Sequence, residues 1–86
     1  MEKDQLHLGD SVICHVQEDM AEAFTGTIEK AYVNSALLSI TDYQAIDKPN
    51  VAELNEKIIV NFKGMDQNLG GGSGQTLAEL AEEKEK

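Results

Sequence analysis

The chain holds few side chains suited to covalent or metal chemistry, and their spacing argues against most of it. Cys14 and His15 are neighbours, a pairing that suggests a thiol nucleophile beside an imidazole base. They fall, however, in the alternating run SVICHVQ (11–17), which reads as a β-strand, and adjacent strand residues point to opposite faces. The two cannot form a dyad, and Cys14 reads as a small core residue. His7 and His15, with a single cysteine, lack the ligand spacing of a zinc site. Acid pairs such as Glu18-Asp19 and Glu82-Glu83 lie in polar stretches and read as solvated surface. Gly70 to Gly74 could suggest a phosphate-cradling loop, but Gln75 and Thr76 follow where Lys and then Ser or Thr would be required. No catalytic residue, cofactor site or metal site is expected, and the sequence predicts a protein that is not an enzyme.

Charge narrows the functional classes further. Sixteen acids face seven basic residues, all lysine, for a net charge of -9. Residues 1–64 carry eleven acids and five lysines, and residues 65–86 five acids and two lysines, so the acidity belongs to the body as well as the tail. Phosphate neutralisation supplies most non-specific nucleic-acid affinity, and arginine is the best bidentate reader of phosphate and guanine. Both are scarce here. No apolar run is long enough to span a membrane, and the start MEKDQLHLGD is polar, which predicts neither a span nor a signal peptide. One cysteine cannot form an internal disulfide, so a reducing, cytoplasmic setting is expected.

The elements that must position any binding residues read as β. In EKIIVNFK (56–63), Ile58, Val60 and Phe62 alternate inward, with Lys57, Ile59, Asn61 and Lys63 outward. GTIEKAYVNSALLSI (26–40) reads as a hairpin, with Asn34-Ser35 as its two-residue turn. That turn pairs Val33 with Ala36 and Ala31 with Leu38, all four inward. A bulge at Glu29-Lys30, opposite Ser39, then brings Ile28 across from Ile40 and into the core. Between the hairpin and the last strand, DYQAIDKPNVAELNE (42–56) is a polar connection with a short helical turn near residues 50–54.

The bulged, twisted hairpin with Gly26 at its entry and a Gly9-Asp10 turn before the first strand predicts a mainly all-β fold. We expect an SH3-like, KOW-like, partly open barrel of about five strands over residues 6–65. GD-x-V, G-x-I-x-x-A and A-x-L-x-I resemble the KOW motif of NusG-type transcription factors and some ribosomal proteins, small barrels that bind RNA or protein. HLGDSVIC, FTGTIEKAYVNSALLSI and LNEKIIVNFK also resemble a family of short, uncharacterised YkvS-like proteins of Gram-positive bacteria. Glu56, Lys57, Ile59, Val60, Asn61 and Lys63 match its closing segment, E-[KR]-x-[IV]-V-N-x-K. Gly64-Met65 departs from the family's aromatic-containing ending. The resemblance implies the same fold and a bacterial cytoplasm, and it carries no known activity.

Downstream, the composition of residues 66–75 predicts a flexible Gly-rich linker. Residues 76–86 read as an acidic tail with a short helix, because Thr76 and Glu79 have capping-box spacing. Leu77, Leu80 and Ala81 form a narrow apolar strip along it. A helix this short is marginal alone, so a fraying, solubilising tail is favoured over one that docks a partner.

These readings converge on a non-catalytic bacterial interaction module that binds a protein partner, one with a basic surface to suit the acidic chain. Leu37, Ile59 and Asn61 are the candidate partner-binding residues. The alternative is a weak RNA- or DNA-binding module built on Lys30, Lys57 and Lys63, with Tyr32 and Tyr43 as stacking platforms.

Overall fold

The computed structural model describes residues 3–16, 18–74 and 76–79. Alternating apolar residues set the strands: β1 (Ser11–Cys14), β2 (Phe24–Ala31), β3 (Ser35–Asp42), β4 (Lys57–Asn61) and β5 (Met65–Gly70). One antiparallel sheet orders them β4-β3-β2-β1-β5. The sheet curls without closing, an SH3-like partly open barrel. A 3-10 turn, Ala45–Asp47, and the short helix α1 (Lys48–Glu53) link β3 to β4, and a second 3-10 turn, Phe62–Gly64, links β4 to β5.

The core follows the alternation. Val12, Cys14, Phe24, Ile28, Ala36, Leu38, Ile40, Ile58, Val60 and Phe62 point inward, joined by Leu6, Met20, Val51, Met65 and Leu77. Removing each large aliphatic or aromatic side chain from water stabilises the fold by about 1.5–3 kcal/mol before entropic costs. Val51 is the helix's buried anchor.

The β2–β3 hairpin corrects the expected register. Ala31 opposes Ala36, and the Tyr32 N–H donates to the Ser35 carbonyl at 2.8 Å, so the turn centres on Val33-Asn34 rather than Asn34-Ser35. Asn34 does not adopt a left-handed conformation; Asn55 and Glu56 do, in the turn from α1 to β4. The bulge does fall at Glu29, since Ile28 opposes Leu38 while Lys30 opposes Leu37. Ile28 therefore sits across from Leu38 rather than Ile40. This register buries Ile28, Leu38 and Ile40 together and leaves Val33, expected inside, 72% exposed at the tip.

The barrel also runs past residue 65. Met65–Gly70 is a strand paired with β1, not the start of a flexible linker. Its register against β1 shifts twice, and only Met65 is buried, so the segment carries no alternation from which a strand could be read. Beyond it, Gly72 is wedged against the β1 approach, where an added Cβ would lie 2.4 Å from the Leu8 carbonyl oxygen. Thr76 then bridges to His7, and the Leu77 N–H donates to the Leu6 carbonyl at 2.8 Å. The capping box forms: Thr76 N–H to Glu79 Oε1 at 3.0 Å, and Glu79 N–H to Thr76 Oγ1 at 3.3 Å. Backbone and side-chain bonds from Thr76 hold the Glu79 carboxyl below its usual range. Leu77 is fully buried, so the start of the predicted tail belongs to the barrel. Leu80 and Ala81 lie outside the described residues.

Candidate interaction face

The outward residues of β2, β3 and β4 form one face. Lys30, Leu37 and Ile59 are directly opposed across the three strands, as are Thr27, Ser39 and Lys57 in the next outward row. Leu37 is half-buried beneath its neighbours, whereas Ile59 is 57% exposed. Bonds at both ends of the β3–β4 ladder fix which pairs exchange hydrogen bonds. Ile40 N–H donates to the Glu56 carbonyl, and Phe62 N–H donates to the Asn34 carbonyl. By alternation, Leu37 and Ile59 form a non-hydrogen-bonded pair, the geometry that brings opposed side chains closest.

Asn61, at the end of β4, spends its side chain locally: Oδ1 accepts from the Lys63 N–H at 2.9 Å and caps the 3-10 turn. It remains exposed at the rim of the apolar pair.

The lysine patch is smaller than the sequence predicts. Glu29, pushed out by its bulge, reaches across β3 to Lys57, with both carboxylate oxygens 2.6 Å from Nζ. The Lys57 hydrogen bond holds the Glu29 carboxyl below its ordinary range. Lys57 is thus already partnered by an acid. Lys63, expected on the same strand face as Lys57, is not there, because β4 ends at Asn61 and Lys63 lies in the following turn. Lys30 is exposed beside Leu37. Tyr32 is 42% exposed at the hairpin tip, while Tyr43 packs partly against the core, away from the lysine rows. The structure thus does not assemble Lys30, Lys57, Lys63, Tyr32 and Tyr43 into one platform.

Elsewhere the polar side chains serve the fold. Cys14 is fully buried, and its thiol is pushed up to about 12 by burial and, secondarily, by the Asp66 charge. His15 faces outward, its Nδ1 2.6 Å from Asp66 Oδ2, and fastens β5 to β1. Two carboxylates are buried, Asp10 of the expected Gly9-Asp10 turn and Asp47 ahead of the short helix. Asp10 accepts from the His7 N–H at 2.9 Å, Asn68 Nδ2 at 3.0 Å and the Gly72 N–H at 2.8 Å. Burial pushes the Asp10 carboxyl up, yet these bonds together hold it below its ordinary value. Asp47 accepts from the backbone of Ala21 at 2.7 Å and Glu22 at 2.9 Å, and from Asn50 Nδ2 at 3.0 Å. The Ala21 bond leads in lowering it, against the opposing effect of burial. The local signals were present: an Asp directly after Gly9, and an Asp ahead of Pro49 with Asn three residues on.

The surface clefts are shallow. One of about 440 Å³ is lined by Glu22, Ala23, Gln44, Ala45 and Ile46, a set without a nucleophile–base pair. Among the described residues, no group of three His, Cys, Asp or Glu is placed to hold a metal ion. No helix among them is long and apolar enough to cross a membrane. No family model, curated protein or solved structure matches the chain.

Proposed function

We propose that the protein is a non-catalytic interaction module that binds protein through the outer face of β2, β3 and β4. The observation that carries this reading is the opposed pair Leu37 and Ile59, presented on an edge strand with Ile59 57% exposed. Asn61 and Lys30 form a polar rim around an apolar centre, the layout common to protein interfaces. The Glu29–Lys57 pair counts against a phosphate-binding role, because Lys57 must lose a carboxylate before it can take a phosphate. A bacterial, cytoplasmic setting and membership of the YkvS-like family rest on the cysteine count and the motif residues.

Low-salt affinity capture from native lysate, with and without nuclease, tests the reading. Protein partners should survive nuclease and be lost on Ile59→Lys. Partners that vanish with nuclease, or are held more tightly by the added lysine, would overturn it in favour of RNA or DNA.

A further inference from the structure

The edge of β4 is unusually regular for a strand with no described neighbour on its far side. Its pairing with β3 runs from Ser39–Lys57 to Ser35–Asn61 without a shift. Left-handed Asn55 and Glu56 bound it at one end and the Phe62–Gly64 turn at the other. Sheets usually blunt such an edge with a bulge, a proline or inward charge. Here there is an unbroken segment of five residues with exposed Ile59 at its centre.

Hydrogen-bond bookkeeping along this edge has a particular symmetry. Because Glu56 and Phe62 bond toward β3, Lys57, Ile59 and Asn61 turn their backbone groups toward the open side. The Lys57 N–H is taken by the Leu54 carbonyl at 3.2 Å, and the Asn61 carbonyl opens the 3-10 turn. No described residue bonds the Lys57 carbonyl, the Ile59 N–H and carbonyl, or the Asn61 N–H. Rotate the strand by a half-turn about Ile59, and every one of these donors meets an acceptor. Ile59 pairs with itself, and the Asn61 N–H meets the Lys57 carbonyl, twice over. The groups that would have no partner in that arrangement are the two already satisfied within the chain.

We propose that this face pairs with a second copy of the same chain, β4 against β4, antiparallel about a two-fold axis through Ile59. The inference rests on the protein-binding reading above and names the partner. Side chains fit it as the backbone does. The half-turn extends the Leu37–Ile59 pair into a continuous apolar stripe, Leu37 and Ile59 followed by Ile59 and Leu37 of the partner subunit. Lys30 stands at both outer ends of the stripe. Lys57 falls opposite Asn61 of the partner subunit, so no like charges are directly opposed. Locally the face carries Lys30 and Lys57 against Glu29, in a chain of net charge -9. Two copies therefore meet without setting carboxylate against carboxylate. Pairing of one short strand buries less than a standard interface, so the dimer is weak and concentration-dependent.

Sedimentation velocity on the full chain, from low micromolar to near-millimolar protein, tests the proposal. The species should move from monomer to dimer, and added salt should tighten it by screening the repulsion between two acidic chains. Ile59→Lys, which sets two ammonium groups against each other on the axis, should abolish the dimer without lowering the melting temperature. Asn61→Asp keeps the acceptor for the Lys63 N–H and places a carboxylate opposite each Lys57, and it should tighten the dimer about 3- to 10-fold. Amide exchange at Ile59 and Asn61 should slow as concentration rises. A monomer throughout, or a dimer indifferent to Ile59→Lys, overturns the proposal. If a monomeric protein still loses a nuclease-resistant partner on Ile59→Lys, this inference fails while the protein-binding function stands.

Discussion

β5 and β4 are the two edges of one sheet, finished in opposite ways. Along β5 the register shifts twice, Asn68 Nδ2 donates to the Gln5 carbonyl at 3.0 Å and to Asp10, and Gly72 and Leu77 lock the following segment onto the start of the chain. Along β4 the register is unbroken, and no described residue covers the outer side. The contrast separates residues that maintain the fold from residues free to do something else. Near β5 the Asp66 and Asn68 side chains are spent in internal bonds, whereas at the β4 edge backbone groups of Lys57, Ile59 and Asn61 are left over.

Substitutions on the β5 side should act on stability alone. Leu77→Ala should cost about 3 kcal/mol, measured by urea denaturation, because it empties a fully buried site. Gly72→Ala should cost about 2–3 kcal/mol, since the new Cβ meets backbone atoms of Leu8 and Asp10 that cannot swing aside. Gly74→Ala, in open space but with a positive φ, should cost only about 1 kcal/mol. Equal losses at the two glycines would show that Gly72 is not wedged.

Acid should reveal the two buried carboxylates. Asp10 and Asp47 have folded-state values below their ordinary 3.8. Near that value the unfolded chain binds more protons than the native one. Their contribution to stability is therefore complete above about pH 5 and is lost as pH falls through 3.8 toward the folded values. Asp10→Asn and Asp47→Asn should each flatten the acid limb of a stability–pH curve; a limb as steep as the wild type's would mean that other carboxylates carry it.

On the β4 side stability should hardly change. Ile59→Lys and Lys57→Met should leave the melting temperature within error, because one residue is exposed and the other forms a surface ion pair. Only the former should remove association. A large loss of stability from either would erase the contrast between the edges.

Alternation made β1 and β4 legible in the sequence. Val12 and Cys14, and Ile58, Val60 and Phe62, bury as their spacing requires. The bulge at Glu29 was legible for a related reason: without it, Ile28 would face water. Hairpin register was not, because Asn34-Ser35 is the better local turn signal, while a one-residue shift packs Ile28 against Leu38 and frees Val33. β5 was invisible because Met65 is its single buried residue and backbone pairing holds the rest. Composition alone cannot tell a glycine in a loose coil from one, like Gly72, required by close approach. At the candidate face, the outward placement of Leu37 and Ile59 could be read from the pattern. Their direct opposition, and the capture of Lys57 by Glu29, depended on register and a bulge that propensities do not fix.

The pairing of β1 with β5 has a consequence for synthesis. As the chain leaves the ribosome, β1, β2, β3 and β4 can zip as a local meander, but the outer edge of β1 must wait for a strand that begins at residue 65. Until then Asp10 lacks the Asn68 and Gly72 donors, and the nascent barrel exposes two bare strand edges in place of one. Emergence of residues 65–77 covers the β1 edge with a strand whose register breaks twice, and leaves β4 as the edge with an unbroken register.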